Sequence, residues 1–260
     1  MFGLIRKRSL WNFAVLGKHP AAGDFIRLGA ETPIVTGISA WMENGFSRLP
    51  VDVMGKKGFF WRFWARGSGG KLILGLVKSS EDKHGRIFPL LVMGEGKTLD
   101  ALSGNWDIVP LFCDKTWHEL DKYSRKKITN AKELNRLLSR IKAPSDTVRP
   151  HLERRERMMT LELPRQRKRS SVMSDFMNKM NNPDGLSRLD SFSVFIDVGK
   201  PDDVLIPVVK LLTLLKNRSK TEPRTVFIGG RGNKNRMIVF KRSLHADDFN
   251  QLWSEADVEI

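Results

Sequence analysis

The chain has 260 residues, of which 40% are hydrophobic, and it carries 7 Trp and 15 Phe; so much bulky apolar material excludes a chain that stays disordered over most of its length. The formal net charge of +16 suits an acidic protein, an anionic surface or nucleic acid as partner, because each gains Coulomb energy or releases counterions on contact. One cysteine, Cys113, excludes an intrachain disulfide and a multi-thiolate zinc site, and no run approaches the ~20 apolar residues of a membrane-spanning helix.

Arg6, Lys7 and Arg8 precede the apolar run Leu10 to Leu16, a weak likeness to a signal peptide. The run is short, holds Asn12 and lacks a cleavage site, so a strand ending at Gly17 and a cytoplasmic location are expected. Thr32 and Pro33 predict a helix start, with Ile34, Ile38, Trp41 and Met42 at helical spacing behind them. Strands are predicted over Phe59–Trp64, Leu72–Val77 and Phe88–Met93. The glycine-rich link 66–70 joins the first two as an antiparallel hairpin.

Two helices follow. Val109, Phe112, Cys113, Trp117 and Leu120 share one face, and Leu134, Leu137, Leu138 and Ile141 share another, with Asn130 and Glu133 resembling a capping box. Cys113 reads as a buried small hydrophobe. From Ala143 to about Asp184 the pattern degrades. Within 149–169, Arg149, Arg154, Arg155, Arg157, Arg165, Arg167, Lys168 and Arg169 oppose only Glu153, Glu156 and Glu162, so a basic insertion at about 145–185 is expected. Pro164 with Ser170 and Ser171 suggests a surface loop, and Asn181–Gly185 a turn.

Phe192–Val198 reads as a strand, Val204–Leu215 as a buried helix, Thr225–Ile228 and Met237–Phe240 as strands, and a last helix starts near His245. No internal repeat is visible. The expected fold is a single domain over 1–260, a three-layer α/β/α sandwich around a mixed, largely antiparallel sheet, in which the late strand–helix–strand passage adds one parallel pair.

Catalytic motifs fail one by one. Gly229–Lys234 lacks the Ser or Thr after Gly-Lys and the following helix of a phosphate loop, so it reads as a hairpin turn. The five histidines form no helical pair, and no Gly-x-Ser-x-Gly elbow is present. The expectation is a protein that is not an enzyme and that uses no cofactor or metal.

Two polar clusters remain within apolar surroundings, Gly17–Arg27 and Ser80–Leu90. Asp24 or Asp82 can cap a turn there or pair with Arg27 or Arg86. These clusters carry a resemblance to the TagF/ImpM family of type VI secretion accessory proteins. The family's Gly-Lys-x-Pro-x-x-Gly-Asp-Phe motif is matched from Gly17 to Phe25, and its Trp-Arg-Phe strand by Trp61-Arg62-Phe63. Its Pro-Ser-x-Asp-x-x-Gly-Arg-x-Phe-Pro-Leu motif is matched up to Leu90, with Ser79 in place of the proline. The resemblance implies the sandwich fold without a catalytic centre. It also implies a post-translational regulator, typically a repressor, that contacts the forkhead-associated scaffold protein of the secretion apparatus. Gly17, Lys18, Pro20, Gly23, Asp24, Phe25, Arg27, Asp82, Gly85 and Arg86 are the candidate docking residues. A basic nucleic-acid-binding protein is the competing expectation, although no binding module is visible.

Overall fold

The structure, a computed structural model, describes residues 11–97, 102–126, 128, 130–145, 147–161, 189–196, 204–219, 221–232 and 234–253. The strands are β1 (Asn12–Gly17), β2 (Ile26–Gly29), β3 (Phe59–Arg66), β4 (Lys71–Lys78), β5 (Leu90–Lys97), β6 (Ser191–Ile196), β7 (Thr225–Arg231) and β8 (Lys234–Phe240). The helices are α1 (Pro33–Ser47), α2 (Val51–Met54), α3 (Val109–Arg125), α4 (Ala131–Leu138), α5 (Arg149–Thr160), α6 (Leu205–Arg218) and α7 (Phe249–Trp253).

The strands form one sheet in the order β2-β1-β5-β4-β3-β7-β8-β6. Its middle strands are apolar on both faces because both faces are covered. Along β4, Leu72, Leu74 and Leu76 enter one core while Ile73 and Val77 enter the other. Along β3, Trp61 and Phe63 face one way and Trp64 the other, as the two-residue period of a strand requires. The first core is closed by Phe112, Trp117 and Leu120 of α3, Leu134 and Leu138 of α4, and Leu211, Leu212 and Leu215 of α6. The second is closed by Val35, Met42 and Phe46 of α1 and by Phe249, Leu252 and Trp253 of α7. Burying each such side chain stabilises by about 1.5–3 kcal/mol. The result is the three-layer sandwich that the sequence suggests.

Both N-caps form, Asn130 through the first bond of the expected box. Thr32 Oγ1 accepts from the Val35 amide at 3.3 Å and Asn130 Oδ1 from the Glu133 amide at 2.9 Å. Each satisfies one of the orphan amides of its helix start. Cys113 is buried, and burial, with the neighbouring Asp114 charge, pushes its thiol well above the ordinary value.

Three expectations change. The parallel pair does not form: β6, α6 and β7 do make a crossover, but β8 lies between the two strands and pairs antiparallel with both. Every strand pairing among the described residues is antiparallel. The short strand β2, which the sequence does not announce, adds an edge beside β1.

The third concerns the basic stretch, whose first part is the regular helix α5, with Met158 packed against Leu111 and Val209. Two of its four arginines turn inward. Arg154 donates to Asp114 Oδ2 at 2.9 Å and Arg155 to Asp107 Oδ2 at 3.0 Å. Asp107 is fully buried and also accepts from Lys216 at 2.9 Å and Thr213 at 3.2 Å, so α5 and α6 are tied to the turn before α3. The loop and turn expected at Pro164, Ser170, Ser171 and Asn181–Gly185 lie outside the described residues.

Candidate functional site

The two polar clusters are neighbours because β1 and β5 pair, with Gly17 opposite Leu90. Gly17 has φ +113°, and a Cβ there would overlap the Pro89 carbonyl. Only glycine lets the first turn leave the sheet so close to the second motif. The second turn is closed by the Glu81–Ile87 bridge and by the Phe88 amide donating to Ser80 O at 3.1 Å. At its tip Gly85 adopts φ +76°.

Asp82 organises this second turn from within. Its side chain is fully buried, and Oδ1 accepts from the His84 amide at 2.9 Å and the Arg86 amide at 3.0 Å. Oδ2 accepts from Arg86 Nε at 2.7 Å and lies 3.4 Å from Lys18 Nζ. Burial opposes ionisation of this carboxylate. The Arg86 amide and guanidinium, and the His84 amide, outweigh that and hold its pKa well below the ordinary carboxylate range.

Arg86 then reaches across to the first turn. Its Nη2 donates to Gly23 O at 2.6 Å and lies 3.4 Å from Asp24 Oδ1. The Lys83 amide donates to Ala22 O at 2.9 Å, and the Phe25 and Phe88 rings meet edge to face with centroids 5.4 Å apart. Asp24 Oδ1 also accepts from the Phe25 amide at 2.8 Å. The top of the unit stays in solvent: the Arg86 side chain is 52% exposed and that of Asp24 78%.

Nine of the ten candidate residues belong to this unit or border it, Pro20 through the cleft described next. Arg27 does not. It lies on β2 and turns to α1, with Nη2 3.5 Å from Glu43 Oε1 and 3.4 Å from Ser39 Oγ. Arg86, not Arg27, pairs with both aspartates.

Beside the unit runs a cleft of ≈ 650 Å³, lined by His19 and Pro20, by residues 57–60 and 78–81, and by the end of α3 through Lys126 and Ile128. Its floor is basic. Burial, and then the nearby Arg125, lower the pKa of Lys78 despite the opposing Asp121. Burial, and then Lys78, lower that of His19. His19 Nδ1 accepts from the Ala21 amide at 3.0 Å, so its imidazole serves the turn as a neutral acceptor. Sequence reasoning missed Lys78, Arg125 and Lys126, since nothing in the local pattern says that α3 ends above β4.

Ser79 also has a task that the motif did not suggest. Its Oγ accepts from the amides of Gly58 at 2.8 Å and Phe59 at 3.1 Å, and its own amide donates to Phe59 O at 3.0 Å. Among the described residues, no group of three or more His, Cys, Asp or Glu could hold a metal ion.

The model of the TagF N-terminal domain, described as type VI secretion system-associated, matches residues 14–143, half of the chain. This span includes both turns. The chain belongs to the TagF family. Its fold is similar to the crystal structure of PA0076 from Pseudomonas aeruginosa PAO1, with a TM-score of 0.53 and 15% identity over 95% of this chain and 96% of that one. At that identity the likeness speaks only to the fold of this chain. No curated protein matches it. No helix among the described residues is long and apolar enough to cross a membrane.

Proposed function

We propose that this type VI secretion-associated protein is a non-catalytic, cytoplasmic regulator that acts by protein contact. It represses assembly by docking a scaffold component, with a forkhead-associated protein as the expected partner. The observation that carries this reading is Arg86. It cross-links the two family turns through Asp82, Gly23 and Asp24 while its guanidinium stays half exposed. A rigid charged surface of this kind loses little entropy on docking.

The chemistry of the unit also favours contact over catalysis. The Asp82 carboxylate is occupied by three hydrogen bonds and held ionised, and His19 spends Nδ1 on the Ala21 amide. A general base needs a free lone pair and a pKa near the working pH. The nucleic-acid alternative loses ground because Arg154 and Arg155 are spent on Asp114 and Asp107.

The experiment is a secretion assay in the bacterium that carries this system. Deleting the gene should raise secretion and excess protein should suppress it. Unchanged secretion in both strains would overturn the reading.

A further inference from the structure

The cleft beside the turns has a charge balance that the docking unit does not explain. Lys57, Lys78, Arg125 and Lys126 line it with Glu81 as the one acidic side chain. They stand on separate walls: Lys57 before β3, Lys78 at the end of β4, Arg125 and Lys126 at the end of α3. Lys57 is paired with Glu81 at 2.6 Å and Arg125 with Asp121 at 2.7 Å. Both are exposed pairs of the kind that open at little cost.

Lys78 Nζ has a neutral partner, the Ser124 carbonyl at 3.4 Å. The floor between these cations is Phe60, with the guanidinium carbons of Arg62 and Arg125 each 5.9 Å from its ring centroid. Guanidinium groups already beside the ring would compete with a stacking base, which disfavours single-stranded nucleic acid. Cations spread over three walls, around an apolar floor, fit a chain of carboxylates better than one compact anion.

We propose that this cleft binds an acidic, carboxylate-bearing segment of the protein partner, with Lys78 and Lys126 as its principal cations and Phe60 as its apolar floor. The inference rests on the contact-regulator reading and adds the partner's chemistry to it. Burial lowers the pKa of Lys78 and His19 first, and a neighbouring cation, Arg125 and Lys78 respectively, lowers each further; a bound carboxylate would relieve that second, repulsive part.

The test uses the full chain and a fluorescein-labelled Asp-Glu-rich peptide, read by anisotropy at low and moderate salt. Lys78→Met and the exposed Lys126→Ala should each weaken binding by about tenfold, the scale expected of one close charge pair. Lys132→Ala, an equal charge change on α4 away from the cleft, should leave binding unchanged. Lys126→Ala keeps the test decisive should Lys78→Met fail to fold. The proposal is overturned by no binding at low salt, by wild-type binding in both cleft variants, or by equal weakening in Lys132→Ala. Displacement of the peptide by equimolar inorganic phosphate would also overturn it, marking a compact oxyanion site. So would a labelled DNA strand that loses binding in the cleft variants while the peptide does not. If the acidic peptide fails while a secretion component still co-purifies, this inference falls and the regulator reading stands.

Discussion

Arg86 donates from Nη2 to the carbonyl oxygen of Gly23 at 2.6 Å, across 63 residues of sequence. That bond, made by a side chain already anchored on the buried Asp82, turns two separate motifs into one object. The sheet register beneath it makes the arrangement possible, and each element of it can be probed separately.

Gly17 and Gly85 should respond differently to alanine. Both have positive φ, but a Cβ at 17 meets the Pro89 carbonyl while one at 85 meets nothing within 4 Å. Gly17→Ala is expected to cost about 3 kcal/mol, and Gly85→Ala about 1 kcal/mol from the backbone alone. Urea unfolding of both variants checks the ranking; equal midpoints would contradict the close approach.

Ser79 should matter for stability in spite of departing from the family's proline. Ser79→Ala removes the acceptor of the Gly58 and Phe59 amides and should cost about 1 kcal/mol. Ser79→Pro also removes the amide that donates to Phe59 O and should cost about 2 kcal/mol or more. A Ser79→Pro protein as stable as the wild type would contradict these bonds.

Stability should fall with acid in two stages. His19 and His151 are both lowered from 6.5 by burial first, then by Lys78 and Arg154 respectively. Their unfolded imidazoles therefore take protons before the folded ones, and stability declines as pH drops below about 6.5. Asp82 and Asp248 are lowered although burial opposes it, Asp248 by Arg242 and the His245 amide. Their contribution is present above the unfolded carboxylate value of about 3.9 and is lost as pH falls through the lower folded values. Urea midpoints measured across this range should fall throughout. His19→Asn, which keeps an acceptor near the Ala21 amide, should flatten the upper stage; a midpoint that rises on acidification would contradict the signs.

Asp107 should be the most sensitive carboxylate of the helical layer. Removing it as Asp107→Ala strands Arg155 and Lys216, whose side chains are only 19% and 24% exposed. A loss of about 3–5 kcal/mol is expected. Arg155→Met should cost far less, because Lys216 still neutralises the carboxylate. Thermal unfolding of the pair distinguishes this from a surface network, in which both changes would be nearly silent.

The fold was legible where the side-chain pattern speaks for itself. Leu72–Val77 stands out as a dense aliphatic run and Leu134–Ile141 carries its helical period openly, and Thr32 and Asn130 mark their helix starts. Ile26–Gly29 was missed because four residues give too few alternations to register. The helix α5 was missed because Met158 is its one buried residue and two of its inward side chains are charged: Arg154 and Arg155 look solvent-bound until Asp114 and Asp107 are found beneath them. The expected parallel pair failed on a point no local pattern contains, the insertion of β8 between β6 and β7. The same holds at the site. The turn residues were visible as motifs, but Lys78 and the end of α3 meet only through tertiary packing.

Capture of a type VI secretion component by purified Arg86→Ala, compared with wild type at equal folded concentration, tests most directly whether the two turns act as one docking unit. Loss of the guanidinium removes its bonds to Asp82 and Gly23, while the Lys83–Ala22 bond and the Phe25–Phe88 contact remain. Capture should fall by about tenfold, the loss typical when a central charged contact is truncated. Undiminished capture by a folded Arg86→Ala protein would contradict it.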